Sequence, residues 1–237
     1  MTRIKRLAAV VMGAAVFLSA AAALASTTQP AIVRSQLRLK PDGAEPVIIR
    51  DQVRGEFYSA TGDKPFSIAV QPSFTGGLIR FENCVARDVK RGPGIHTDGW
   101  WLAGTRESRD LVVEFEKCVV ARIDGPSILV ENGSFKRIYF KDCEVDWKYE
   151  FKLMPGCVIE ELVFDGCVGN VSINYNGGQL KKLYLNNHRG SANPNSSTEV
   201  IDGLPDDLRP KPPPATRPAE DREGVIEGKR YRLVESE

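Results

Sequence analysis

The chain has 237 residues, a formal net charge of +1 and 42% apolar residues. That supplies enough apolar material for one elongated domain with a continuous core. The near-neutral charge leaves no basic stripe for neutralising a phosphate backbone, so nucleic-acid binding drops out of the expected functions.

Residues 1–25 read as a signal peptide. Arg3, Lys5 and Arg6 precede an apolar, Ala-rich stretch from Leu7 to Leu24, and Ala23-Leu24-Ala25 is a small-residue cleavage signal. The apolar stretch also approaches the length of a short membrane span, so an uncleaved anchor is the alternative. Cleavage would leave no membrane span, take the formal charge from +1 to −2 and place the protein in the periplasm or outside the cell. Residues 26–44 are polar and read as a tether.

The segment 45–202 carries a repeat. Phe81-Glu82-Asn83-Cys84, Phe115-Glu116-Lys117-Cys118, Phe140-Lys141-Asp142-Cys143 and Phe164-Asp165-Gly166-Cys167 share the pattern Phe-x-x-Cys, and Leu185-Asn186-Asn187-His188 follows in phase. The steps between cysteines are 34, 25 and 24 residues, and the step to His188 is 21. Repeats of this length mark a stacked architecture. Each repeat also holds a second apolar piece before a glycine, as in 66–71, 99–103, 127–132, 150–154 and 171–176. Recurrent turn residues between short apolar runs indicate strands, and no sustained helical spacing competes.

Strict alternation from an inward Phe would place Asn83, rather than Cys84, inside. The chain is therefore expected to bend between them. Asn83, Asp142, Gly166 and Asn187 are residue types that accept a left-handed backbone, whereas Lys117 is not. A sharp corner, short strands and this period give an all-β fold, a parallel β-helix solenoid of about five to six coils. With these features the chain resembles the right-handed parallel β-helix superfamily of pectate lyases and polygalacturonases.

In such a stack Cys84, Cys118, Cys143 and Cys167 lie about 4.8 Å apart along the axis. Stacked side chains point the same way, which favours buried free thiols over disulfides. The odd count of five cysteines, with Cys157 outside the repeat, also requires one unpaired thiol within a single chain. A vertical row does not surround an ion, so neither a metal nor another cofactor is expected. His188 reads as structural.

The longest repeat lies between Cys84 and Cys118. Its extra residues include His96-Thr97-Asp98-Gly99-Trp100-Trp101, and insertions in such stacks gather on one face, often the binding face. Counting back from Gly104, Gly133 and Gly156 aligns Asp98 with Ser127 and Glu150, and His96 with Gly125 and Lys148. Arg122 and Asp124 fall nearby. Asp98, His96, Asp124 and Glu150 are the candidate catalytic residues, because carboxylates spaced across coils suit glycoside hydrolysis and a neighbouring base suits proton abstraction. Trp100, Trp101, Arg122 and Lys148 are the candidate ligand-binding residues, although alternation exposes only one Trp. Thr97-Asp98-Gly99 is similar to the end of the Asn-Thr-Asp-Gly motif of polygalacturonases, with His96 in place of Asn. That resemblance implies a catalytic role for Asp98. The family's Gly-His-Gly and Arg-Ile-Lys motifs are missing from the mature chain, and no Asp-Asp pair occurs within the repeat segment 45–202.

Residues 203–223 are proline-rich and read as an extended linker, and 224–237 form a short tail. The function expected first is binding of a polysaccharide or cell-surface glycan through the 91–110 loop. A polysaccharide hydrolase or lyase centred on Asp98, and a structural module without a ligand, are the alternatives. The sequence leaves enzyme status, the particular glycan and the oligomeric state open.

Overall fold

The computed structural model of the chain describes residues 31–145 and 151–209. The expected signal segment, the prolines from Pro210 onward, the tail, Lys148 and Glu150 lie outside the described residues.

About half of the described residues lie in β-strands, no α-helix is found among them, and the strands pair in parallel within three sheets. The first sheet holds Ile32–Val33, Val53–Ser59, Val85–Arg91, Val119–Ile123 and Glu144–Val145 in that order. The second holds Leu37–Leu39, Phe66–Ala69, Trp100–Ala103, Ile128–Glu131, Phe151–Leu153 and Ile173–Tyr175. The third runs from Val47–Arg50 through Leu78–Glu82, Val112–Glu116, Gly133–Lys141, Cys157–Asp165 and Gln179–Asn186 to Glu199–Asp202. The chain visits the three sheets in turn and returns to the first one strand further along. Pairing begins at Ile32, opposite Val53, and Leu37 lies opposite Phe66. Residues 32–39, expected within a tether, therefore already belong to the sheets.

Alternation decides what fills the interior. In the third sheet Val47, Ile79, Val113, Ile138, Leu162 and Leu183 form one buried column. Ile49, Phe81, Phe115, Phe140 and Phe164 form the next. The phenylalanine rings stack nearly parallel at 5.0, 4.7 and 5.0 Å. Trp100 reaches them from the second sheet, stacked on Phe66 at 4.7 Å and edge-on to Phe115 at 5.5 Å. Such pairs add about 0.5–1.5 kcal/mol each beyond the area they bury.

The corner after each Phe is left-handed, as the repeat predicts. Asn83, Asp142, Gly166 and Asn187 have φ of 54°, 50°, 66° and 50°. Lys117 joins them at 53°, although its residue type gives no hint of it. Its amide donates to the Lys141 carbonyl of the next circuit at 2.9 Å, so register outweighs local preference there. Beyond the corner each cysteine turns inward. The thiols of Cys118, Cys143 and Cys167 donate to the carbonyls of Phe81, Phe115 and Phe140, one circuit earlier, at 3.5, 3.3 and 3.4 Å. Cys84 reaches the Ile49 carbonyl in the same way at 3.6 Å. All five cysteines, Cys157 included, are free and buried. His188 closes the series, its ring 5.5 Å from that of Phe164, and burial pushes its pKa below the ordinary histidine value.

The outward face of the third sheet is covered. Arg80 pairs with Glu114, Arg50 with Glu82 at 2.6 Å, Arg137 with Glu161 at 2.7 Å and Lys141 with Glu116 at 2.9 Å. Residues 203–209 fold back across it, burying Leu208 against Tyr139, Val163 and Tyr184. The Leu208 carbonyl accepts from Arg137 Nη1 at 3.2 Å.

Burial pushes the Cys118 thiol up, and the Cys157 thiol up to about 12, while thiol–thiol hydrogen bonding pulls Cys84 down and, against burial, Cys143 as well. Burial of all five is what shelters them from reagent. Thiol titration of the native protein should find the cysteines unreactive. After denaturation without reductant five should react, and one or three would contradict the free-thiol ladder. Phe115→Ala removes the middle ring and should cost about 3–5 kcal/mol in denaturant unfolding.

Candidate functional site

The three long strands of the first sheet each carry one left-handed residue in mid-strand: Glu56 at φ 56°, Asp88 at 56° and Arg122 at 54°. Asp88 is clamped by Arg122, whose Nε and Nη2 donate to its two carboxylate oxygens at 2.5 and 2.7 Å. Arg34 and Arg87 both pair with Glu56, at 3.0 and 3.4 Å. Arg122, expected at a ligand site, thus holds the sheet together.

Two residues further along the strands, the surface changes. Tyr58 is level with Lys90, and Lys90 with Asp124, because Val89 pairs with Ile123. Tyr58 is 61% exposed, and both Lys90 and Asp124 lie at the surface. The chain then turns through Gly92-Pro93-Gly94, closed by the Ile95 amide donating to the Gly92 carbonyl at 3.1 Å. Gly94 has φ 71°, which glycine adopts without strain. Arg91, this turn, Ile95, His96 and Asp124 line an open depression of about 650 Å³. The hydroxyl of Tyr58 borders it at Gly92.

His96 forms one wall. It is half-exposed, and its Nδ1 lies 3.2 Å from Asp98 Oδ1. Asp98 is fully buried. Its other oxygen is 3.9 Å from Lys64 Nζ, which donates to the Gly62 carbonyl at 2.9 Å and lies 5.6 Å from the centre of the Trp101 ring. Neither Asp98 oxygen accepts a hydrogen bond among the described residues. Thr97 is also buried and donates to the Asp63 carbonyl at 2.6 Å. Asp98 is therefore a buried carboxyl behind His96 rather than a group at the surface.

The expected alignment of columns slips by one residue. Trp100 pairs with Ile128, so His96 is level with Asp124, not Gly125, and Asp98 with Pro126, not Ser127. The closing glycines mislead because Gly104 sits opposite Asn132, leaving Gly133 one residue beyond it. Gly125 instead lies beside Thr97, where a Cβ would run into the Thr97 carbonyl. The slip brings His96 and Asp124 into one depression and leaves Asp98 beneath it. Trp100 is a core residue, with no exposed surface for a ligand, whereas Trp101 is half-buried and faces outward.

Sequence reasoning missed Tyr58, Lys64, Lys90 and Arg91. A signal was present, since adding the 34-residue cysteine step to Lys90 gives Asp124. Among the described residues no group of three His, Cys, Asp or Glu side chains is placed to hold a metal ion, and no helix is long and apolar enough to cross a membrane. No family model, curated protein or solved structure matches the chain.

The Arg122 clamp holds the Asp88 carboxyl below the usual carboxylate range. A carboxylate with a lowered folded-state pKa stabilises the fold above its unfolded value, about 3.9, and that contribution fades as pH falls through the lowered value. Arg122→Ala should return Asp88 to the ordinary range in an NMR carboxyl titration and shift acid unfolding to higher pH. An unmoved Asp88 titration would show that the clamp does not form in solution.

Proposed function

We propose that the three sheets close into a right-handed parallel β-helix, and that the protein is an exported module binding a polysaccharide or cell-surface glycan in the depression beside Tyr58. The observation that carries this reading is an exposed aromatic ring next to a concave surface that is largely apolar and carries Arg91, His96 and Asp124 in its wall. Sugars offer an apolar face for stacking and hydroxyls for charged hydrogen-bond partners, which Tyr58, Arg91, His96 and Asp124 supply. Trp101, over Lys64, extends the surface on the far side of His96. The site sits at the junction of the first and second sheets, around the loop of the longest repeat, with Tyr58 and Asp124 supplied by the circuits on either side.

A second reading, a polysaccharide hydrolase or lyase, is favoured by one geometric feature. The carboxylate of Asp98 faces Nδ1 of His96, which leaves Nε2 for proton transfer. In that reading His96 touches the substrate and Asp98 is a positioning residue. Asp124 would be the carboxylate on the open side.

Binding to an immobilised glycan panel tests the first reading. Tyr58→Ala should weaken binding about tenfold, the equivalent of about 1.4 kcal/mol, while leaving the melting curve unchanged. Glycan binding unaffected by both Tyr58→Ala and Trp101→Ala would sink it. Release of reducing ends or of unsaturated uronates, lost in His96→Ala, would replace it with the enzymatic reading.

A further inference from the structure

We infer that the ligand of the depression carries both charge signs, as a saccharide bearing a carboxylate and a free ammonium group. The inference rests on the glycan-binding reading and narrows it. Across the first sheet, charges are paired between circuits: Arg34 with Glu56, Arg87 with Glu56, and Arg122 with Asp88. One step along the same strands the pairing stops. Lys90 and Asp124 are opposite in sign and level in adjacent circuits, about 4.8 Å apart along the stack. Yet among the described residues Lys90, Arg91 and Asp124 have no ion-pair partner. Arg91 and Asp124 instead both line the depression.

Opposite charges held apart across a concave surface set a field that runs over the opening. A carboxylate placed at Arg91 and an ammonium at Asp124 each gain a charge-assisted hydrogen bond. A neutral sugar gains neither. A sugar with carboxylates alone brings a like charge to Asp124, and one with ammonium groups alone brings a like charge to Arg91, so each is selected against. Of the remaining ionic groups, Lys90 is exposed on the sheet beside Asp124 but does not line the depression. Asp98 is buried behind His96, and Lys64 lies behind Asp98. Tyr58, at the Gly92 edge, gives the sugar ring its stacking face without a charge preference.

Titration calorimetry at low salt with four oligosaccharides of equal length tests the inference. The probes are oligomers of N-acetylglucosamine, glucosamine, galacturonate, and de-N-acetylated glucosamine–muramic acid, which alone carries both groups. The last should bind about tenfold or more tighter than the others. Asp124→Lys should move the preference to galacturonate oligomers and Arg91→Glu to glucosamine oligomers, with circular dichroism and melting unchanged. A singly charged or neutral oligomer that binds as tightly, with affinity indifferent to both charge reversals, overturns this inference and leaves the glycan reading standing. Failure of all four to bind, with the protein folded, overturns the glycan reading as well.

Discussion

Between each ladder phenylalanine and the cysteine three residues on, the backbone passes through a left-handed residue. The cysteine thiol then donates to the carbonyl of the phenylalanine one circuit earlier. The thiol is small and weakly polar, and the carbonyl gives its buried S–H an acceptor at the corner. The ring stack and the thiol row hold one another in register: shifting either by one residue would turn the phenylalanines outward. With four such corners aligned, the faces of all three sheets are set, and every outward side chain has a fixed neighbour in the circuits before and after it.

That fixed register governs the surface charges. On the third sheet, ionic residues meet partners in the next circuit, and the returning segment 203–209 covers the apolar strip between them. Burial raises the pKa of Glu114 there despite Arg80 beside it, as expected for a carboxylate on a covered face. The first sheet repeats the pairing at Glu56, Asp88 and Arg122 and then abandons it at Lys90, Arg91 and Asp124. The contrast arises two or three residues along the strands, and separates charges paired within the sheet from charges without an ion-pair partner among the described residues.

The all-β architecture was legible because its signals are local and repeated: Phe-x-x-Cys, the turn-forming residue before each cysteine, and the closing glycines. Lys117 was the exception, since its left-handed backbone comes from neighbouring circuits rather than from its own side chain. The site was legible only in outline. The excess length between Cys84 and Cys118 pointed to the loop that borders the depression, and His96 and Asp124 both line it. Its details failed through a single residue: Gly133 stands one place past its apparent partner Gly104, and that slip set Asp98 in the wrong column. Trp100 and Trp101 were distinguishable only by knowing which of two alternating faces meets Phe66. Tyr58 lies one circuit earlier in the chain, on the strand paired with Val85–Arg91, and no local pattern links it to His96.

The central claim is that the ligand-facing surface is the junction of the first and second sheets, around Tyr58, Arg91, His96 and Asp124. Hydrogen–deuterium exchange with and without bound glycan measures this directly. The account predicts protection confined to residues 58–64, 90–101 and 122–126, with the third sheet unchanged. Protection over the outward face of the third sheet or residues 203–209, with 90–101 unaffected, would contradict it.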